Sequence, residues 1–116
     1  MENNLKSKVE KLNGKSKTIK EGVDLQGMEF RTLKEFVGQR IRIDGFFFSN
    51  SKYGEQVSLV GGGYKINMPK WAVEKFKQLS EDEELMTAMF EGLLYIDNII
   101  EKNTTNGTTT LFKFNI

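Results

Sequence analysis

The sequence has no cysteine and no histidine among its 116 residues. Without cysteine the chain has no disulfide framework, no zinc–thiolate site and no catalytic thiol. Without histidine it lacks the commonest general base and the commonest metal-binding side chain. These absences exclude much enzyme chemistry, and we expect a protein that is not an enzyme, has no catalytic residues and uses no cofactor.

Long apolar runs are missing as well. A membrane-spanning helix needs about 20 mostly apolar residues, and the apolar runs of this chain are only a few residues long. The amino terminus is polar and rich in lysine, without the hydrophobic core of a signal peptide. We therefore expect no membrane partner and a cytoplasmic location.

The charges are unevenly distributed, although the formal net charge is only +1. Residues 1–20 carry six Lys against two Glu, residues 31–77 carry nine Lys or Arg against four acids, and residues 78–116 carry two Lys against seven acids. Binding to polyanions depends on the local field of a groove, so the basic middle segment is compatible with a nucleic-acid site. Chance asymmetry in a small domain is the alternative.

Residues 1–27 are rich in Asn, Lys, Ser and Gly, which predicts a flexible basic amino-terminal arm. Leu5, Val9 and Leu12 recur at positions i, i+4 and i+7, a spacing compatible with one short helix. The lysines indicate attraction for phosphates, whereas the apolar residues indicate docking on a neighbouring subunit. We favour the second role.

Residues 40–49 alternate with a period of two and predict the first strand of the domain. One face carries Ile41, Ile43 and Phe47, and the other carries Arg40, Arg42, Phe46 and Phe48. Gly45 in the middle of this strand indicates a bend or bulge, which is typical of a barrel corner. A bulge there would exchange the two faces beyond it, so the choice between Phe46 with Phe48 and Phe47 as the outward residues stays open.

Strand and helix signals follow along the rest of the chain. Further strands are predicted at 55–60, 64–68, 93–101 and 108–116. After Pro69 the period changes to about 3.6, which predicts two helices ending at Gly92. Capping boxes are predicted at Thr32 with Glu35 and at Ser80 with Glu83.

The resulting order is strand, strand, strand, helical segment, strand, strand. This is the order of a five-stranded oligonucleotide/oligosaccharide-binding (OB) barrel, here over residues 28–116, with the helices between strands 3 and 4. SH3-like barrels and small sandwiches also have five short strands, but they lack the helical insertion. We therefore expect an all-β OB fold with a helical insertion and a flexible arm.

Aromatic and basic side chains on the predicted strands suit single-stranded nucleic acid. Aromatic rings stack on bases at about 1–3 kcal/mol each, whatever the base, while Lys and Arg contact the phosphates. The stacking candidates are Phe46, Phe48 and Tyr53, and the phosphate-contact candidates are Arg40, Arg42, Lys52, Lys65 and Lys113. Core packing is the alternative for each Phe, and Trp71 is expected to anchor the helix on the barrel rather than to stack on a base.

The acidic cluster Glu81-Asp82-Glu83 is the one sequence feature that suggests metal binding. Carboxylates adjacent in sequence do not converge on an ion without further ligands. The cluster lies where a helix is predicted to begin, and the helix dipole favours negative charge there. We therefore predict no metal site.

Several segments together resemble the small single-stranded-DNA-binding proteins of bacteriophages and mobile elements of Gram-positive bacteria. The resemblance covers about residues 35–116 and rests on 36–40, 52–57, 66–71, the acidic helix and Gly92. It implies an OB fold and a role in phage or plasmid DNA replication, recombination or transfer inside a bacterial cell. The acidic carboxyl-terminal tail of cellular single-strand-binding proteins is absent from the sequence, which ends within a predicted strand at Ile116. Recruitment of partner proteins through such a tail is not expected.

The expected function is sequence-tolerant coating of single-stranded DNA by a homo-oligomer, with RNA as an open alternative ligand. A rival of another class is a phage or plasmid protein-interaction module that inhibits a host enzyme. A hydrolase or nuclease would need clustered acids or histidine, and the acid cluster is explained by helix capping. Salt dependence separates the first two hypotheses, because phosphate contacts weaken as salt rises.

Overall fold

The computed structural model of the protein describes residues 18–116, which form two β-sheets and two α-helices. The strands in this range are β1 (Phe30–Thr32), β2 (Ile41–Arg42), β3 (Gly45–Ser51), β4 (Gly54–Gly61), β5 (Tyr64–Asn67), β6 (Tyr95–Thr104) and β7 (Gly107–Asn115). The helices are α1 (Ala72–Glu81) and α2 (Glu83–Phe90), and a 3₁₀ turn spans Leu33–Phe36. The prediction of a mainly β domain with a helical insertion is confirmed.

The two sheets share one bent segment of chain. The first sheet has the order β1-β5-β4-β3, and the second has the order β2-β6-β7. Between β2 and β3, the Ile43 amide donates to the Leu94 carbonyl at 2.9 Å, and the Asp44 amide donates to the Val60 carbonyl at 2.8 Å. Successive residues thus bond to different sheets, and the chain passes from one sheet to the other at this bend.

The strand count differs from the predicted five. The bend divides the predicted first strand into β2 and β3, and the short β1 pairs in parallel with β5. Within residues 18–116, no ladder joins β7 to β1 or β5, so the described part of the chain does not form a closed barrel. Sheet pairing depends on partners distant in sequence, which is why alternation alone did not predict these two differences.

The bend also reverses the inward and outward faces, which makes the predicted outward position of Phe46 wrong. Ile41 and Ile43 point into the core, and beyond the bend the inward positions are Phe46 and Phe48. Phe46 is fully buried, Phe48 is half-buried against the core, and Phe47 is half-buried outside it. Side chains in a strand alternate strictly, so the break in the ladder before Gly45 shifts every later residue to the other face.

Gly61 lies where the bent segment crosses the end of β4. A Cβ atom at this position would lie 2.5 Å from the Arg42 carbonyl oxygen and 2.8 Å from Cγ2 of Ile41. Gly45 is similarly tight, with a Cβ 2.7 Å from Cα of Ile19. Close approach of a neighbouring backbone explains both glycines, so Gly45 is required by packing rather than by a bulge.

We expect Gly61→Ala to lower the free energy of unfolding by about 1–3 kcal/mol, because the added methyl overpacks a backbone fixed by two sheets. Gly45→Ala is the matched control and is expected to cost less, because the segment next to it, residues 18–20, lies at a sheet edge and can shift. Urea unfolding of the two variants measures the difference. An equal or larger loss for Gly45→Ala would contradict this account of the bend.

The helices close one end of the core. α1 buries Ala72, Val73, Phe76 and Leu79. The Phe76 ring lies 5.1 Å from the Phe46 ring and 5.3 Å from the Phe114 ring, so α1 contacts both sheets. Trp71 stacks on Phe112 at 5.0 Å and its indole N–H donates to the Thr110 carbonyl at 3.0 Å, which confirms its role as an anchor.

One of the two predicted capping boxes is confirmed. The Thr32 amide donates to the Glu35 carboxylate at 2.7 Å, and this hydrogen bond lowers the pKa of Glu35. The second prediction is wrong, because Ser80 lies inside α1 and donates to the Lys77 carbonyl. Asp82 caps α2 instead and accepts from the Leu85 amide at 3.1 Å.

The boundary predicted for the amino-terminal arm also differs in part. Residues 18–20 were assigned to the arm, but the Phe46 amide donates to the Thr18 carbonyl at 2.9 Å and the Lys20 amide donates to the Asp44 carbonyl at 2.7 Å. This segment therefore extends the edge of the first sheet beside β3. The arm prediction for residues 1–17 lies outside the described residues.

Candidate nucleic-acid interface

The predicted residues Arg40 and Arg42 both lie on the outer face of the second sheet. Their side chains are half-exposed, because Ile41 and Ile43 occupy the inward positions of the alternation. Arg42 pairs directly with Tyr95 of β6. The Arg40 guanidinium carbon lies 4.0 Å from the centre of the Tyr95 ring. A cation over an aromatic face is stabilised by the ring quadrupole, so the contact with Tyr95 fixes the position of the planar, positively charged guanidinium of Arg40.

An open groove of about 540 Å³ runs from this pair to the turn between β4 and β5. We refer to it as the arginine groove. It is lined by Phe36, Gln39, Arg40, Ile41, Arg42, Asp44, Gly62, Gly63, Tyr64 and Tyr95. Gly62 and Gly63 have φ angles of 60° and 85°, and a Cβ would meet no atom at either position. The turn therefore leaves this side of the groove free of side chains.

A second aromatic pair lies on the far wall of the arginine groove. The rings of Phe36 and Tyr64 are 6.0 Å apart, and the Arg31 guanidinium carbon lies 5.1 Å from the centre of the Tyr64 ring. Two tyrosines thus border one groove, and each is covered by an arginine. Aromatic faces next to guanidinium groups are the combination that stacks bases and contacts phosphates.

Each groove arginine also has an acidic neighbour. Arg42 contacts Asp44 at 3.1 Å and Arg40 lies 4.0 Å from Asp97, in both cases through Nε. Exposed ion pairs contribute only about 0–1 kcal/mol to stability, so these carboxylates orient the two arginine side chains without holding them tightly. A guanidinium has five N–H donors, and the terminal nitrogens keep donors for a phosphate.

Lys65 and Lys113 do not line the arginine groove. The Lys65 ammonium lies 4.3 Å from the centre of the Phe30 ring, on the strand pair β1–β5. Lys113 is exposed on β7 opposite Asp97, one strand away from Arg40. No contact in the structure tests either lysine as a phosphate contact, so these two predictions stay predictions.

Lys52 and Tyr53 form a separate exposed site at the tip of the β3–β4 hairpin. Tyr53 is 70% exposed, and the Lys52 ammonium lies 5.0 Å from the centre of its ring. Lys70 donates to the Tyr53 carbonyl at 3.2 Å, which ties the tip to the start of the helical segment. The seven residues of β3 separate this tip from the arginine groove by about 23 Å, at roughly 3.3 Å per residue.

The two predicted phenylalanines do not belong to the arginine groove. Phe46 has no exposed surface and packs against Phe48 and Phe76, so it is a core residue. Phe48 lies on the same inward face, half-buried. The structure therefore brings Arg40 and Arg42 together in one groove, and it places neither stacking phenylalanine there.

The aromatic residues of the arginine groove were missed by the sequence analysis. Phe36, Tyr64 and Tyr95 come from three separate segments of the chain. A signal for Tyr95 was present, since Tyr95 and Asp97 alternate with the buried Ile96. Outward aromatic residues next to charged ones in a strand indicate an exposed interaction face.

Elsewhere an ion pair ties α1 to the first sheet. The Glu55 carboxylate accepts a hydrogen bond from Lys77, which raises the pKa of Lys77.

Within residues 18–116, no group of three or more acidic side chains is arranged to hold a metal ion. Neither helix in the described part of the chain has the length and apolar composition needed to cross a membrane.

Comparison of the chain with protein-family models, with curated proteins and with solved structures finds no match. The function is therefore argued from the arginine groove and its chemistry.

Proposed function

We propose that the protein binds single-stranded DNA without base preference and that the arginine groove is its principal site. The observation that supports this proposal is the pairing of Arg40 with Tyr95 and of Arg31 with Tyr64 along one open groove. Each tyrosine offers a face or edge for a base, and each arginine offers donors for a phosphate. The role that follows is coating of single strands in phage or mobile-element DNA replication, recombination or transfer.

The chemistry of the groove favours single strands over duplexes. Stacking requires a base that is not already paired and stacked, and it tolerates any base because every base has a π face. Phosphate contacts from arginine add affinity without sequence information. A groove that is lined by Arg40 and Arg42 and bordered by two tyrosines supplies both contributions within the reach of a few nucleotides.

We further propose that the fold is a partly open OB barrel. In this interpretation β2 and β3 together are the bent first strand, and β4, β5, β6 and β7 are strands two to five. The ladders β3–β4, β4–β5, β2–β6 and β6–β7 follow the OB order, with α1 and α2 between the third and fourth strands. The parallel pairing that would close the barrel is replaced by the pairing of β1 with β5. The two halves of the bent strand bring Arg40, Arg42 and the β4–β5 turn to one surface.

The proposal predicts binding to oligo-dT whose affinity falls as salt rises. Each phosphate contact on a single strand contributes roughly 0.7 to the slope of log affinity against log salt, so Arg40 and Arg42 in the groove, together with Arg31 next to Tyr64, predict a slope of about −2. Fluorescence anisotropy with labelled oligo-dT over a salt series measures this slope. Oligo-dA, single-stranded RNA and duplex DNA of equal length are the comparisons, and the duplex is expected to bind more weakly.

A flat salt dependence, or equal affinity for duplex and single strand, would contradict the proposal. A protein-interaction module that inhibits a host enzyme is the alternative, and it predicts no measurable affinity for any of these oligonucleotides at physiological salt. The same titration therefore separates the two functions.

A further inference from the structure

Two cationic side chains lie close together at the end of α2. Gly92 follows this helix and has a φ angle of 76°. A Cβ atom at Gly92 would lie 3.5 Å from Nζ of Lys20 and 4.0 Å from Nη1 of Arg42. An ammonium and a guanidinium from separate segments of the chain therefore approach one point. We refer to this point, with Lys20, Arg42 and Gly92 around it, as the Gly92 site.

Backbone pairing brings both cationic residues to the Gly92 site. Arg42 is the last residue of β2 and is paired with Tyr95 of β6, which follows closely after Gly92 in the chain. The Lys20 amide donates to the Asp44 carbonyl at 2.7 Å, just beyond Arg42 in the bent segment. Pairing between distant segments therefore places both residues next to the end of α2.

The charges of the Gly92 site are not balanced within the described part of the chain. Arg42 contacts the Asp44 carboxylate at 3.1 Å through Nε, which leaves its terminal nitrogens as donors. Among residues 18–116, no ion pair of Lys20 is found. Two neighbouring like charges repel each other, and an anion between them removes the repulsion. A phosphate group has several acceptor oxygens, so one phosphate is able to accept from an ammonium and a guanidinium together.

A structural role at the helix end is the alternative explanation. The carboxyl end of a helix carries a partial negative charge and favours cations. The amides of Gly92 and Leu93 already donate to the Met89 and Ala88 carbonyls, at 3.0 and 2.9 Å. Within residues 18–116, no hydrogen bond joins either cation of the Gly92 site to a carbonyl of α2. These carbonyls are thus satisfied by the backbone, and the cationic groups keep their donors for a ligand.

The Gly92 site is continuous with the arginine groove. Arg42 lines the groove and belongs to both sites. Arg40 covers the Tyr95 ring, and Tyr95 is paired with Arg42 in the sheet. The three cations are therefore neighbours in the order Arg40, Arg42, Lys20. A single strand carries a negative charge at every nucleotide, so a strand whose bases lie in the groove also presents phosphates to this series.

From these observations we infer that Lys20 and Arg42 together bind one phosphate group at the Gly92 site. The ligand is a backbone phosphate of the strand held in the arginine groove, and this identification of its source rests on the proposed function. Lys20 then extends the binding surface from the second sheet to the segment that pairs with β3. It adds a contact to those of the three arginines and steepens the salt dependence by roughly 0.7.

Lys20→Ala is expected to lower the affinity for oligo-dT about 10-fold, the loss of one charge-assisted hydrogen bond to phosphate. The slope of log affinity against log salt should become shallower by about 0.7. Lys20→Arg keeps the charge and should stay within a few-fold of the original affinity. Lys102→Ala is the matched control, because Lys102 is an exposed lysine of β6 that lies outside both sites. Equal affinities for Lys20→Ala and Lys102→Ala would overturn the inference.

Urea unfolding of the same variants tests the structural alternative. The inference predicts that Lys20→Ala unfolds at nearly the same urea concentration as the original protein, while its oligo-dT affinity falls. A clear loss of stability in Lys20→Ala with unchanged affinity would mean that Lys20 acts on the helix end, and the inference would be wrong.

Inorganic tripolyphosphate separates the phosphate site from the proposed function. In isotope-labelled protein we expect tripolyphosphate to shift the amide signals of Lys20 and Gly92, and we expect Lys20→Ala to abolish the shift at Gly92. If these shifts occur but oligo-dT does not bind, the phosphate site is supported and the proposed function fails. If oligo-dT binds through Arg40 and Arg42 while tripolyphosphate leaves the Gly92 signal unchanged, the proposed function stands and the inference fails.

Discussion

Replacing Arg40 and Arg42 together with alanine is expected to lower the affinity for oligo-dT about 100-fold. Each guanidinium is taken to make one charge-assisted hydrogen bond to phosphate worth about 1.5 kcal/mol, and about 3 kcal/mol corresponds to a factor of roughly 100. The slope of log affinity against log salt should become shallower by about 1.4, for two lost contacts. Both side chains are half-exposed, so we expect the fold to be kept.

The matched control is the double variant Lys75→Ala, Lys102→Ala. It removes the same two positive charges from exposed positions that do not line the arginine groove. If the loss of oligo-dT affinity is specific to the arginine groove, this control should change the affinity by no more than a few-fold. If both double variants lose affinity equally, net charge alone explains the binding and the arginine groove is not the site.

Phe46→Ala is expected to lower the free energy of unfolding by about 3–5 kcal/mol, the usual cost of emptying a buried phenylalanine site. Phe46 has no exposed surface and contacts Phe48 of β3 and Phe76 of α1, so its removal leaves a cavity between sheet and helix. At a urea dependence of about 2 kcal/mol per molar, the unfolding midpoint should fall by roughly 2 M.

Phe30→Ala is the control for this change, because Phe30 is 53% exposed and contacts Lys65. We expect it to cost about 1 kcal/mol or less, the value of an exposed cation–π pair. If Phe46→Ala instead kept the midpoint and lost oligo-dT binding, the original prediction of Phe46 as a stacking residue would be supported over its place in the core.

The elements themselves were largely predictable from local pattern. Val57 and Leu59 flank Ser58 on β4 and are buried, and Ile66 on β5 and Met68 just after it flank Asn67 and are buried in the same way. The change of period after Pro69 predicted α1 and α2, and Gly92 ends the helical segment with a φ of 76°. These features depend on the neighbours of each residue in the chain, so periodicity is sufficient to find them.

The exposure of Arg40, Arg42 and Tyr53 was predictable for the same reason. Arg40 and Arg42 alternate with buried isoleucines, and Tyr53 lies in a turn between two strands. Their chemical type and outward position follow from local sequence. Local sequence does not determine whether these three residues lie in one site. The structure separates Tyr53 from the two arginines by the length of β3.

By itself, then, the sequence determined the mainly β class, the helical insertion, most inward positions and the outward arginines. Tertiary structure decided the rest. The Ile43 amide bonds to one sheet and the Asp44 amide to the other, and this break in the strand reverses the faces beyond it. As a result Phe46, which was predicted to point outward, lies in the core. The arginine groove takes Phe36, Tyr64 and Tyr95 from three separate segments. Pairing between segments distant in sequence decides which side chains meet, and local alternation carries no information about that pairing.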